Sequence, residues 1–144
     1  MKLTKKQRDN LRNKYGGRCA YCGCELPKIF HADHFEPVDR ICVLETIKNN
    51  GVYKLKASTV GVRHPERNDI SNMMPSCVKC NISKSNLSLE KWRTFLERTV
   101  QSLRKRGGMY AHAVRFGLIV ETNAKVKFYF ERVEGSWHRS TKSS

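Results

Sequence analysis

Acidic residues are scarce in this chain of 144 residues: 13 Asp and Glu stand against 28 Lys and Arg, for a formal net charge of +15. A surface so one-sided repels basic partners and draws polyanions, nucleic acid first among them, through release of their counterions. Long apolar runs are missing as well. No segment approaches the ~20 apolar residues of a spanning helix, so a membrane partner is not expected. The opening Met1-Lys2-Leu3-Thr4-Lys5-Lys6-Gln7-Arg8 carries basic residues with no apolar stretch behind them. No secretory signal is therefore expected, and the chain is assigned to a reducing cytoplasm. There is no internal repeat, which argues against a solenoid. With 39% hydrophobic residues the chain can build one modest core and not two. A single domain is expected over residues 1–134, followed by a small, polar, disordered tail at 135–144.

What the chain does have is cysteine arranged in pairs. Cys19 and Cys22 form one Cys-x-x-Cys, and Cys77 and Cys80 form another, with 54 residues between the pairs. In a reducing compartment such pairs are metal ligands before they are disulfides. Each pair presents two thiolates from one tight turn, and two turns complete a tetrahedral zinc site with no position left for water. That metal is structural. Cys24 and Cys42, left over after the two pairs, each read as a small buried residue rather than a ligand; Cys24 is an alternative to Cys22, although a single intervening residue gives it poorer geometry.

The local patterns predict an α+β chain. Thr4 with Gln7 reads as a capping box opening a basic helix that runs to about Tyr15 and stops at Gly16-Gly17. Ile29 to Pro37 and Asp39 to Thr46 are expected to be the two strands of a small ribbon. Residues 47–69 read as a long polar loop, with a fragment of strand near Val52 to Leu55. Ser88 is expected to cap a long helix from Leu89 to Arg106, with Trp92, Phe95, Leu96, Thr99 and Leu103 on its core face and Gly107-Gly108 at its end. The C-terminal part is predicted to be a β-hairpin, Ala113 to Val120 and Lys125 to Val133, turning at Thr122-Asn123-Ala124.

Three further stretches carry chemistry: Ala32-Asp33-His34-Phe35-Glu36-Pro37, then Asn68-Asp69-Ile70-Ser71-Asn72-Met73-Met74-Pro75-Ser76-Cys77, then Cys80-Asn81-Ile82-Ser83-Lys84. In this order, and with the paired cysteines, residues 19–86 resemble the HNH endonuclease family with a four-cysteine zinc site, in its compact phage-encoded form. The resemblance implies a ββα-metal core, in which a ribbon bearing Asp33 and His34 packs on a helix beginning near the second cysteine pair. It implies that His34 is the general base and that Asp33 and Asn81 hold a catalytic divalent cation, while Asn72 orients the site. Asn81 stands where many members have histidine, and an all-oxygen ligand set suits Mg²⁺ or Mn²⁺. The resemblance further implies DNA as the partner and products with 3′-hydroxyl and 5′-phosphate ends.

The residue types answer the chemistry independently of the family. Hydrolysis of a phosphodiester needs a base for water, and an imidazole with an ordinary pKa near ~6.5 accepts a proton around neutral pH. Developing charge on the phosphoryl group needs a cation. Lys84 reads either as a phosphate contact or as a solvated surface lysine, and Arg104, Lys105 and Arg106 are candidate nucleic-acid contacts. Each of His31, Glu36, Arg40 and His64 could approach the site, and each reads first as ordinary structure or surface. Two functions compete: a DNA endonuclease, with RNA open as a substrate, and a zinc-stapled nucleic-acid-binding module that does not cut. Asp33, His34 and Asn81 discriminate, because a binder needs no hard-metal site beside a base.

Overall fold

The computed structural model describes residues 2–140, and the chain is of mixed helix and strand. Helix α1 spans Lys5–Asn13 and opens on the expected capping box, with both reciprocal bonds between Thr4 and Gln7 present. Its basic side chains are not all free. Arg8 donates to the Phe30 carbonyl and its guanidinium stacks on the Phe30 ring, while Arg12 donates to the carbonyls of Leu26 and Pro27 at 2.6 and 2.7 Å. These bonds strap the segment after the first cysteine pair onto α1.

Strand β1, His31–His34, does not pair with the segment that follows it. The expected ribbon of Ile29–Pro37 with Asp39–Thr46 is corrected: β1 lies antiparallel to a far strand, Met73–Ser76, with His31 opposite Ser76 and His34 opposite Met73. The physical reason is the position of Cys77 directly after that far strand. Pairing it with β1, and bonding Ala20 N–H to the Pro75 carbonyl at 2.8 Å, carries the second cysteine pair to the first.

The stretch expected to be a polar loop is also corrected. Residues 40–62 form a long hairpin, β2 (Arg40–Asn49) against β3 (Val52–Val62), with a register shift at Ile41/Cys42. Asn50 at φ 48° and Gly51 at φ 78° make the tight two-residue turn. An Asn-Gly pair with positive φ at both positions matches the right-handed strand twist, so it propagates a hairpin where the sequence reading saw only a break. The far strand of the first ribbon is then β4, Met73–Ser76, and Cys77 caps helix α2, Val78–Lys84.

The expected long helix is two: α3, Leu89–Glu97, and α4, Thr99–Arg106, separated at Arg98. Trp92 is buried, but Phe95 is 58% and Leu103 43% exposed, so the apolar stripe serves the core only at its N-terminal end. Gly107, in extended conformation, ends α4 at Arg106 as expected, and it also opens a further helix, α5, Gly108–Arg115. The C-terminal β-hairpin is absent from the described residues. Of its first strand, residues 113–115 belong to the end of α5 and 116–120 to turn and irregular chain, and its second gives way to α6, Tyr129–Ser140, which covers much of the stretch expected as a tail; residues 141–144 lie outside those described. Glu131 accounts for the helix, because its carboxylate accepts the Phe128 N–H at 2.8 Å three residues upstream and so caps the first turn.

The core gathers around the first cysteine pair. Tyr21 packs edge-on to Trp92 at 5.1 Å, Trp92 stacks on Phe128 at 5.0 Å, and Phe128 leads to Phe130 and Phe35. Backbone bonds from Tyr129 and Phe130 to the carbonyls of Tyr21 and Ala20 lock the C-terminal segment against the turn. Gly23 sits at φ 78°, and a Cβ there would meet the Tyr129 ring at 2.7 Å, so both its conformation and its neighbour require glycine.

Candidate functional site

Two clusters of chemistry flank β1. The first is the group of Cys19, Cys22, Cys77 and Cys80, whose sulfurs all lie within 4.8 Å of one another. Cys22 Sγ and Cys77 Sγ are 3.9 Å apart, close to the ~3.8 Å edge of a tetrahedron with Zn–S bonds of ~2.3 Å. Backbone donors already point at the sulfurs: Cys77 N–H to Cys19 Sγ at 3.4 Å and Cys80 N–H to Cys77 Sγ at 3.5 Å. The Cys19 thiol is held down to about 4, first by a hydrogen bond from Cys80 and, against burial, by neighbouring backbone donors. Cys80 is pushed up by that same partnership, by burial and by the charge of Cys19 and Cys22. Four thiols this close resist joint ionisation unless a cation shares the site. The cysteines are therefore placed to bind a metal ion, and the set is consistent with zinc. Cys24 and Cys42, expected to be buried, are both exposed, and Cys24 stands outside the four.

The second cluster is a cleft of about 630 Å³ beside β1, lined by Asp33, His34, Arg40, Cys42 and Asn81 among others. Antiparallel pairing with β4 sets β1, and α2 delivers Asn81 from the turn after Cys80. Asp33 is only 7% exposed. Its Oδ2 accepts from the Tyr21 hydroxyl and lies 3.1 Å from Lys84 Nζ. Both contacts fall on one oxygen, and Asp33 is among the residues that line the cleft. Burial, and then the Asp33 carboxylate, push the Tyr21 phenol far above its ordinary value.

Lys84 requires the largest revision. The sequence offered it as a phosphate contact or a surface lysine, and the structure buries it completely. Besides Asp33 its ammonium donates to the His34 carbonyl at 2.6 Å. A charge sealed in this way is tolerated because it is paired and hydrogen-bonded. Lys84 therefore ties α2 to two successive residues of β1, and no phosphate reaches it there.

His34 is half-buried, and its Nε2 lies 3.0 Å from Asn68 Oδ1. An amide oxygen only accepts, so this contact is a hydrogen bond in the tautomer that carries the proton on Nε2 and leaves a lone pair on Nδ1. Asn72 clasps the chain just beyond: its Oδ1 accepts the Glu36 N–H at 2.9 Å, and its Nδ2 donates to the carbonyls of Glu36 and Arg67 at 2.8 Å each. With Phe35 N–H bonded to the Asn72 carbonyl, Asn72 ties the chain just after β1 to the segment at Arg67.

Over 90 residues, 62% of the chain, the sequence is 29% identical to "SPbeta prophage-derived putative HNH endonuclease YoqL" of Bacillus subtilis (strain 168). The chain spans about a third of that relative, the aligned part being 33% of its length. No family model matches the chain, and no solved structure is a significant match.

The remaining sequence candidates scatter. Arg104 is held by Glu121, Nε to Oε1 at 2.8 Å, whereas Lys105 and Arg106 are exposed at the end of α4. His31 and Arg40 line the cleft; His64 pairs with Glu66 at 3.2 Å outside it. Sequence reasoning passed over Asn68 and Tyr21, the partners of His34 and Asp33. Asn68 stands in the same stretch as Asn72, where the four-residue spacing of two asparagines was the available signal. Nothing local marks Tyr21, whose role depends on the fold bringing it to β1. Among the described residues no helix is long and apolar enough to cross a membrane.

Proposed function

We propose that this chain is a metal-dependent HNH-type endonuclease, a single domain over residues 1–134 that hydrolyses phosphodiester bonds of DNA. The observation that carries the reading is the convergence of Asp33, His34 and Asn81 on one cleft, beside four thiols grouped for a structural metal. The β1–β4 ribbon followed directly by α2 supports a ββα-metal core, and the name of the Bacillus subtilis relative supports a nuclease.

In this reading His34 Nδ1 takes the proton of an attacking water, with Nε2 anchored on Asn68 and the backbone anchored by Asn72. Asp33 Oδ1 and the Asn81 amide oxygen fit a hard divalent cation, Mg²⁺ or Mn²⁺, and leave the rest of its sphere to water and phosphate. When bound, that cation would neutralise charge developing on the phosphoryl and leaving oxygens. Lys84, by occupying Asp33 Oδ2, leaves the carboxylate only one open oxygen. Such a site holds the free ion weakly and holds it better once a phosphate is present.

The Lys84 contact also favours a second reading, a zinc-stapled nucleic-acid-binding module in which Asp33 serves the fold alone. Incubation of zinc-loaded protein with an end-labelled duplex decides between them. The nuclease reading expects shortened products bearing 3′-hydroxyl and 5′-phosphate ends, formed with added Mg²⁺ or Mn²⁺ and not with zinc alone. Retention of an intact duplex under both conditions would leave only the binding module.

A further inference from the structure

The hairpin β2–β3 belongs to no core. Neither strand contains a buried residue, and the hairpin's extensive packing is between its own two strands. A lone two-stranded ribbon is marginal in water, and this one exposes large apolar side chains, among them Leu44 at 71% and Leu55 at 73%. Its base is fixed: Arg63 N–H bonds to the Asp39 carbonyl at 3.0 Å, His64 N–H to that of Val38 at 3.2 Å, and Arg40 and Cys42 line the cleft that holds His34. The ribbon thus projects from the rim of the candidate site.

Register divides its side chains. Leu44 opposite Ala57 and Thr46 opposite Leu55 share one face; Glu45 opposite Lys56 and Ile47 opposite Lys54 share the other. Over residues 40–63 five cations stand against one carboxylate, with Lys48, Lys54 and Lys56 toward the tip. Two strands of about ten residues span ~34 Å, and a ribbon of two strands is the width that the ~12 Å major groove of B-form DNA admits.

We infer that β2–β3 is a duplex-reading arm that lies in the major groove of DNA next to the cleft. This rests on the nuclease reading for its choice of polymer. The Leu44/Leu55 face meets the base edges, where thymine methyl groups offer apolar contact, and the lysines reach the flanking phosphates. A-form RNA has a major groove too narrow for such an arm, so the arm selects duplex DNA over duplex RNA.

The test is fluorescence anisotropy of the full, zinc-loaded chain, without added Mg²⁺ or Mn²⁺, on matched DNA and RNA duplexes across a salt series. The parent is compared with the triple variant Lys48→Ala/Lys54→Ala/Lys56→Ala, whose zinc content monitors folding. The expected result is tighter binding of DNA than RNA by the parent, and in the variant a salt slope shallower by ~0.9 per contacting lysine, up to ~2.7. Equal affinity for both duplexes with an unchanged slope would overturn the inference. So would a parent dimer in solution that Leu44→Ser/Leu55→Ser dissociates without loss of DNA affinity, since the ribbon would then be an interface between copies. Plasmid cleavage separates this inference from the nuclease reading. A variant that binds and cuts as the parent does removes the arm and leaves the nuclease; a parent that needs the lysines to bind but never cuts removes the nuclease and leaves the arm.

Discussion

Lys84 Nζ lies 3.1 Å from Asp33 Oδ2, with 1% and 8% of the two side chains exposed. The pair joins α2, the helix that carries Cys80, to the strand that carries the candidate base, so the two clusters share one support. Lys84→Met leaves the Asp33 carboxylate buried and unpaired and the His34 carbonyl without its donor. The expected cost is ~3–5 kcal/mol of stability, read by denaturant unfolding of zinc-loaded protein. A change within ~0.5 kcal/mol, the usual range for a surface substitution, would return Lys84 to the surface.

The thiol cluster predicts one zinc per chain. Cys77→Ser should drop the stoichiometry below one and lower the melting temperature sharply, because binding free energy of a structural metal is folding free energy. Cys24→Ser should keep the full metal content. Elemental analysis of both variants checks the assignment, and loss of zinc in the Cys24 variant alone would reassign the fourth ligand.

Tyr21 predicts a slope in the alkaline range. Burial first, then Asp33, raise its folded pKa, so the folded state retains a proton that the unfolded chain releases above pH ~10. The stability so conferred is complete below that pH and is lost as pH rises beyond it. Tyr21→Phe should reduce stability at neutral pH by ~1.5–3 kcal/mol, through the lost bond to a charged acceptor, and should flatten the decline above pH 10. An unchanged alkaline slope in urea titrations at several pH values would contradict the assigned environment.

Asn81→Ala should weaken Mn²⁺ binding while leaving one zinc in place, since in the proposed nuclease Asn81 supplies the cation a neutral oxygen, and it has no sulfur for the cluster. Isothermal titration into zinc-loaded protein, with and without an uncleavable duplex, should show the parent binding Mn²⁺ more tightly when DNA is present. Equal Mn²⁺ affinity in parent and variant would put the cation elsewhere.

Much of this was legible in the chain where the signal was local. Thr4 and Gln7 announced α1 because a capping box is satisfied within one turn, and the two Cys-x-x-Cys spacings announced the thiol cluster. Strand pairing was not legible, because β1 could meet either its neighbour or β4 and only the convergence of the cysteines decided. Asn50-Gly51 carried a hairpin signal that the surrounding polar residues obscured. Phe128 and Phe130 alternated like a strand, yet Glu131 capped a helix. Lys84 read as a phosphate contact, or else a surface lysine, since a lone lysine reveals nothing of a carboxylate brought to it from 51 positions away.

The most direct measurement is conversion of supercoiled plasmid by zinc-loaded protein in Mg²⁺ or Mn²⁺, with His34→Ala run beside the parent. The account predicts nicked or linear DNA from the parent, and from the variant a rate lower by ~10²- to 10⁴-fold with zinc content and duplex affinity retained. Equal rates in the two proteins, or a parent that leaves the plasmid supercoiled at every divalent concentration, would contradict it.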